Sequence, residues 1–324
     1  MGPGDKLSES GQLGGGGAAG CAGGDLPGDD DWRARACDGG PLFPDAVWVQ
    51  AKAAQMAEHQ GWRSDRHGGR LGTLRCGVVG LGKTGLASLK LLAGHPGCAV
   101  EWVSDRSDNW PPPADLDLLV IASWDQFHAE QVRWGRRHGA AVFCEKPLCL
   151  SRFEADEILA AECRLSMNMV LRARLPGLTF KPYRIDAAYN WGRREKLSGW
   201  RGNLDYSPVL GGGIHLLDMM CLYMGPLHEA KSMKRGNTVV SSLRFEEGIG
   251  TLTSDLDSPP PHSHGFHAWG TDTDFRWDGM PDMADSVVLE SFIEHLLTGV
   301  EPMVTAADVK RTMDACFMVE DSWR

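Results

Sequence analysis

The chain has 324 residues, enough for two domains of ordinary size, and its apolar (42%) and charged (23%) fractions are those of a soluble globular protein. Its 33 basic residues against 43 acidic ones leave a net charge of −10, which opposes non-specific binding to nucleic acid or anionic membrane and favours a small-molecule partner. No apolar run approaches the roughly 20 residues of a membrane-spanning helix, so the expectation is a cytoplasmic protein with neither a membrane nor a nucleic-acid partner.

Residues 1–70 stand apart from the rest. Residues 1–40 are rich in glycine, with Gly14–Gly17 consecutive and an acidic run at Asp29–Asp31. Such a segment buries too little apolar surface to offset its ordering entropy and is expected to be disordered. Asp45–His59 has helical spacing and reads as a short, loosely docked helix. Ala18–Cys21 resembles a lipoprotein cleavage site but lacks the charged start and apolar stretch of a signal peptide. The nine cysteines are odd in number and scattered, with no CxxC pair and no His/Cys ligand spacing, so they are expected to be reduced and buried, with no metal site.

Organised sequence begins at Leu74. "LRCGVVGLGKTG" is an apolar strand running into glycines, followed by a helix with Leu86, Leu89 and Leu92 on one face. Ala99–Asp105 and Leu116–Ser123 read as the next strands. "DQFHAEQVRWGRRHG" is a helix closed by Gly139, Ala140–Glu145 a fourth strand, Arg152–Cys163 a helix and Leu165–Leu171 a last strand. Strands alternating with helices indicate parallel βαβ units. Beyond about Tyr183 the segments "RIDAAYNWG", "TVVSSLRFEE", "IGTLTSDLD" and "FHAWGTDTDFRWD" alternate as half-exposed antiparallel strands, with helices at Gly213–Met224, Met283–Leu297 and Ala306–Asp321. The expected fold is α/β: an N-terminal Rossmann dinucleotide-binding domain over residues 71–175, shortened after its second strand, and an α+β domain on a mostly antiparallel open sheet over residues 176–324.

Gly80, Gly82 and Gly85 have the GxGxxG spacing between a strand and a helix. The first glycine permits the tight turn, the second lets backbone approach a pyrophosphate, and the third lets helix pack close to strand. The helix starting near Lys83 and Thr84 offers free N–H groups and a positive dipole end to phosphates. Asp105 ends the next strand, 20 residues past Gly85, where a carboxylate reaches the ribose 2′-hydroxyl. It favours NAD(H); the adjacent Arg106, able to pair a 2′-phosphate, leaves NADP(H) open. Lys146 directly follows the fourth strand, at the edge where a Rossmann sheet receives its cofactor, and Pro147 biases it towards an extended conformation that aims the ammonium. Lysine there suits acid–base work. In "LGGGIHLLDMM", His215 and Asp218 lie three apart on one helix face behind three glycines packed against a ligand or a strand.

Together "CGVVGLGKTG", "LDLLVIASWDQFHAEQV", "CEKPL" and "GGGIHLLDMM" resemble the Gfo/Idh/MocA family (glucose–fructose oxidoreductase and inositol dehydrogenase) from about Leu74 to the end of the chain. The resemblance implies an NAD(P)-dependent dehydrogenase or reductase acting on a hydroxyl-bearing carbon of a sugar, polyol or nucleotide-sugar. It makes Lys146 the catalytic lysine and His215 the active-site histidine. Glu145 would contact the nicotinamide ribose, Ser123, Trp124 and His128 would border the cofactor, and Trp200-Arg201 would lie over it. Asn168, Arg172 and Asp218 would contact substrate. The exposed sheet of the second domain would pair subunits into a homo-oligomer.

Three features depart from that pattern. Gly211 stands where much of the family has an aspartate one helical turn before the histidine. Only ten residues, Arg106–Asp115 with "NWPPP", join Asp105 to the next strand where the family fits another helix and edge strand. A helix usual between Leu171 and Ile185 is absent. The Gly211 departure leaves open a rival reading, a dinucleotide-binding sensor or pseudoenzyme with weak or no turnover, and the shortened segments a chain that no longer holds cofactor.

Overall fold

The structure is a computed structural model that describes residues 73–105, 110–160, 164–175, 177–194, 197, 207–279 and 286–323. The extension 1–70, its expected helix at Asp45–His59, Arg106, Trp200 and Arg201 lie outside the described residues.

The first half is β1 (Leu74–Val79), α1 (Lys83–Gly94), β2 (Cys98–Ser104), β3 (Leu118–Ile121), α2 (Asp125–Arg137), β4 (Ala141–Cys144), α3 (Arg152–Leu159) and β5 (Leu165–Met167). Every pairing is parallel, in the order β2-β1-β3-β4-β5. Both β3 and β4 are buried along their whole length, as their unbroken apolar runs require of parallel strands covered on both faces. The shortened connection after β2 leaves that strand at the sheet edge, so the missing strand costs no internal pairing. Trp110, from the proline-rich segment, packs edge-on between Trp102 of β2 and Trp134 of α2, with ring centroids 6.3 and 5.9 Å apart. Its indole covers apolar surface near the edge that the absent elements leave.

The second half carries β6 (Arg184–Asn190), β7 (Leu227–Arg235), β8 (Thr238–Phe245), β9 (Ile249–Asp255), β10 (Ser263–Trp269) and β11 (Asp274–Gly279), in the order β11-β10-β6-β9-β8-β7. β6 and β9 pair in parallel and the other neighbours antiparallel. One face turns inward through Ile185, Ala187 and Tyr189 of β6 and Val239, Ser241, Leu243 and Phe245 of β8, the alternation a half-buried strand demands. "FHAWGTDTDFRWD" resolves into the β10–β11 hairpin. β7 was not legible: its sequence LHEAKSMKR is charged and largely solvent-facing, and it holds its place by pairing with β8 across a two-residue turn at Gly236 (φ 58°) and Asn237.

Helices α4 (Ile214–Met224), α5 (Val287–Thr298) and α6 (Ala306–Asp321) complete this half. A capping box, in which Thr305 and Asp308 satisfy each other's backbone N–H, fixes the start of α6. α4 continues a π-helical turn, Val209–Gly213. A Cβ on Gly212 would overlap the Tyr189 ring, and one on Gly213 would crowd Ser254 of β9. The glycine run therefore lets the start of α4 press onto the sheet. The six described cysteines are free and buried, and no helix among the described residues is long and apolar enough to cross a membrane.

Candidate functional site

The glycine loop after β1 has three separable tasks. Gly80 takes φ +86° and lies against the Ala122–Ser123 backbone, so a side chain there would be both strained and blocked. A Cβ on Gly85 would collide with the Gly80 carbonyl, so the first turn of α1 sits directly on the loop. Around Gly82, in contrast, no heavy atom of the described residues beyond its chain neighbours lies within 4 Å of where a Cβ would be. That is the open approach a pyrophosphate needs, at the uncapped N-terminus of a 12-residue helix with no acid in its first turn. Asp105 is half-buried beside it, its carboxylate accepting the Leu81 N–H at 3.2 Å. These residues fit a dinucleotide: the cradle is open, positively polarised and flanked by one carboxylate.

The C-terminal ends of β3 and β4 lie next to this loop, because Ala122 N–H donates to Val79 O and Glu145 N–H to Ile121 O. Of the residues placed there, Ser123 and His128 are turned to structural work. The Ser123 hydroxyl donates to Gln131 at 2.6 Å. His128 is fully buried, with Nδ1 2.7 Å from Pro147 O and Nε2 3.1 Å from Ser123 O. It clamps the loops after β3 and β4 together and does not itself face a cofactor, which corrects its expected role. Trp124 is 44% exposed at the start of α2.

Glu145 accepts a 2.6 Å hydrogen bond from Asn168 Nδ2. Burial pushes its carboxyl up to about 7, against the opposing pull of Asn168 and of Lys146. Asn168 is itself 2% exposed, and its carbonyl Oδ1 has no partner among the described residues. Lys146 Nζ reaches across to the second half and donates to Gly211 O at 2.6 Å. The π-helical turn thus presents a backbone carbonyl to the lysine one turn before His215, at the position where an aspartate was the alternative.

His215 is 1% exposed and neither ring nitrogen has a hydrogen-bond partner among the described residues. Burial, then the charge of Lys146, hold its pKa well below the ordinary histidine value, so the ring is neutral. His264 of β10 stands beside it, ring centroids 6.0 Å apart. His262 and Tyr189 pack around His264 at 5.3 and 4.9 Å. Neither His262 nor His264 was singled out from sequence; the signal was a histidine at an inward-facing position of an alternating strand.

Two of the expected substrate contacts go elsewhere. Arg172 and Asp218 form a bidentate pair at 2.7 and 2.8 Å, with side chains 5% and 1% exposed. The Thr312 hydroxyl adds a third hydrogen bond to Asp218, and Asp308 lies 3.4 Å from Arg172. The cluster joins the 3₁₀ turn Val170–Ala173, α4 and α6, and its role is internal. A cleft of about 1040 Å³ lies at the opposite, N-terminal ends of the parallel strands, beside Arg133, Arg136 and Arg164. Arg133 pairs with Glu157, Arg136 donates to the carbonyls ending α3, and Arg164 donates to Gly139 O. These three arginines are engaged in bracing the fold.

With this geometry in place, known proteins can be compared. Residues 98–170 match the model of an oxidoreductase family with an NAD-binding Rossmann fold, Gfo/Idh/MocA. The match is confined to that segment and is a likeness to the family over part of the chain. Inositol 2-dehydrogenase of Klebsiella pneumoniae is 33% identical over 75 residues, 23% of this chain, and the match spans only 22% of that enzyme's length. The WlbA dehydrogenase from Bordetella pertussis, solved with NADH and UDP-GlcNAcA, superposes with a TM-score of 0.64 at 16% identity, over 77% of this chain and 96% of its own. Scyllo-inositol dehydrogenase from Lactobacillus casei, solved with NAD(H) and scyllo-inositol, gives 0.62 at 16% identity, over 78% and 97%. At such identities these two likenesses establish the fold alone: a Rossmann-like half joined to a mostly antiparallel half.

Proposed function

We propose that the protein is an NAD(H)-dependent oxidoreductase that oxidises or reduces a hydroxyl-bearing carbon of an inositol, sugar or nucleotide-sugar. One observation carries this reading: Lys146, delivered by the C-terminal end of β4 beside the glycine cradle, meets the turn that opens the His215 helix, with Nζ 2.6 Å from Gly211 O. Cofactor cradle and acid–base pair are thereby brought to one edge of the parallel sheet, where such sheets bind their ligands. Nicotinamide, when bound, supplies the hydride acceptor or donor. The chain's own residues hold the substrate and manage its proton.

Gly80, Gly82 and Gly85, with the first N–H groups of α1 at Lys83 and Thr84, hold the pyrophosphate, and Asp105 takes the adenosine ribose. Asp105 favours NAD(H), and NADP(H) use rests on Arg106. Glu145, held by Asn168, orients the nicotinamide ribose. Lys146 donates to the substrate oxygen and stabilises developing negative charge there. His215, neutral and desolvated, is the base that accepts the hydroxyl proton in the oxidation direction. We assign the cofactor to residues 71–175 and the substrate contacts and subunit pairing to 176–324.

Titrating the purified chain with NADH and with NADPH by fluorescence, then following absorbance at 340 nm with inositols and UDP-sugars, tests the proposal. Binding with turnover upholds it. Absence of binding removes it. Binding without turnover favours the second reading, a dinucleotide sensor, which Gly211 in place of an orienting carboxylate supports.

A further inference from the structure

We propose that His264 of β10 is a second substrate-contacting residue that acts as a pair with His215, so that the pocket takes a polyhydroxylated ring by two of its hydroxyls at once. The inference rests on the dehydrogenase reading of the Lys146–His215 site and deepens it.

His215 and His264 arrive from different elements, α4 and β10, and each is 1% exposed. Their rings lie 6.0 Å apart at 66°. All four ring nitrogens are buried without a hydrogen-bond partner among the described residues. Buried polar groups in folded proteins are partnered in the great majority of cases, so four ring nitrogens left open by the described residues offer a ligand places to bond. His128, by contrast, has both ring nitrogens within 3.1 Å of backbone carbonyls, so this fold does supply partners to a buried imidazole.

The position of His264 points the same way. The other inward residues of β10 are Phe266 and Ala268, 2% and 0% exposed. An apolar side chain would continue that face without the desolvation cost that a histidine incurs. The ring is instead kept and braced by Tyr189 and His262.

Chemistry narrows the ligand. Burial first, then the charges of His262 and Lys146, depress the pKa of His264 to about 3, and His215 is depressed likewise. Two neutral imidazoles each present one donor and one acceptor. A hydroxyl has the same pair of functions. No group of three His, Cys, Asp or Glu side chains among the described residues could hold a metal ion. Two neutral rings 6.0 Å apart therefore match two hydroxyls of one cyclic polyol or sugar.

The test uses the full chain with His264→Phe, which keeps a ring but removes both nitrogens, and His264→Asn, which restores a donor and an acceptor. Melting temperature, NADH affinity, and kcat and KM are measured with myo-inositol, scyllo-inositol and UDP-N-acetylglucosamine. The expected result is a melting temperature for His264→Phe at or above wild type and NADH affinity within twofold. KM for whichever probe turns over should rise at least tenfold, with kcat falling less and His264→Asn recovering part of the loss. An unchanged KM in His264→Phe, or a lower melting temperature in both variants, overturns the proposal. If wild type binds NADH but turns over none of the probes, the dehydrogenase reading fails by itself. The melting temperatures then decide alone: a rise in His264→Phe upholds a ligand-facing histidine, and a fall assigns it to the scaffold.

Discussion

Two buried polar groups lie three residues apart on α4 and are treated in opposite ways. Asp218 is fully buried and receives two hydrogen bonds from Arg172 and one from Thr312. His215 is 1% exposed and receives none from the described residues. The first is a finished piece of scaffold, a closed ion pair linking three elements. The second carries the burial cost of a polar ring without that compensation, beside His264 and within electrostatic reach of Lys146. Burial alone does not separate structural from functional polar residues; satisfaction does.

The largest effect should come from breaking the satisfied cluster. Asp218→Ala leaves the Arg172 guanidinium buried without its bidentate partner, which costs about 3–5 kcal/mol, measured by denaturant unfolding. His215→Phe should cost about 1 kcal/mol or less, or stabilise, because no intramolecular hydrogen bond is lost. If the two costs come out equal, the contrast between the clusters is wrong.

Lys146→Ala sharpens the same contrast in activity. Turnover should fall by about 10²–10⁴-fold, while NADH affinity stays within about tenfold, roughly 1.4 kcal/mol. A Lys146→Ala protein that turns over normally would remove the lysine from the chemistry. Next in size is Gly82→Leu. The open space around Gly82 accepts the side chain, so the fold should keep its melting temperature while NADH affinity drops by about tenfold or more, roughly 1.4 kcal/mol. Loss of stability instead would mean the opening is not a ligand cradle.

The smallest effect concerns pH. Glu145 titrates near 7 in the folded chain, above the ordinary glutamate value. Between the two values the folded state holds more protons than the unfolded one, so stability should fall as pH rises from about 4.5 to about 7 and level off above. Glu145→Gln should flatten that part of the curve in urea unfolding at a series of pH values. An unchanged slope would place the titration elsewhere.

Much of this was written locally in the sequence. The glycine spacing, the lysine behind an apolar strand and the bounds of α6 at Ala306–Asp321 depend on neighbours in the chain, and the structure has them where the pattern puts them. What failed to show were relations between distant residues. Arg172 and Asp218 are 46 positions apart, so nothing local says that they neutralise each other. The family resemblance put His128 beside the cofactor, yet its ring lies against two carbonyls from different loops. β7 lacks the apolar alternation that announces a strand, because an edge strand facing solvent needs none. His264 was hidden in a segment whose alternation revealed its strand but not what its inward face would meet.

Histidine-detected NMR on the ¹⁵N-labelled chain tests the central claim most directly. NAD is added first, then scyllo-inositol, myo-inositol or UDP-N-acetylglucosamine. The account predicts that the ring signals of His215 and His264 shift on adding one of these polyhydroxylated ligands, while those of His128, already bonded to two carbonyls, stay in place. Signals of His215 and His264 that remain unmoved by every ligand, or that move only together with His128, would contradict it.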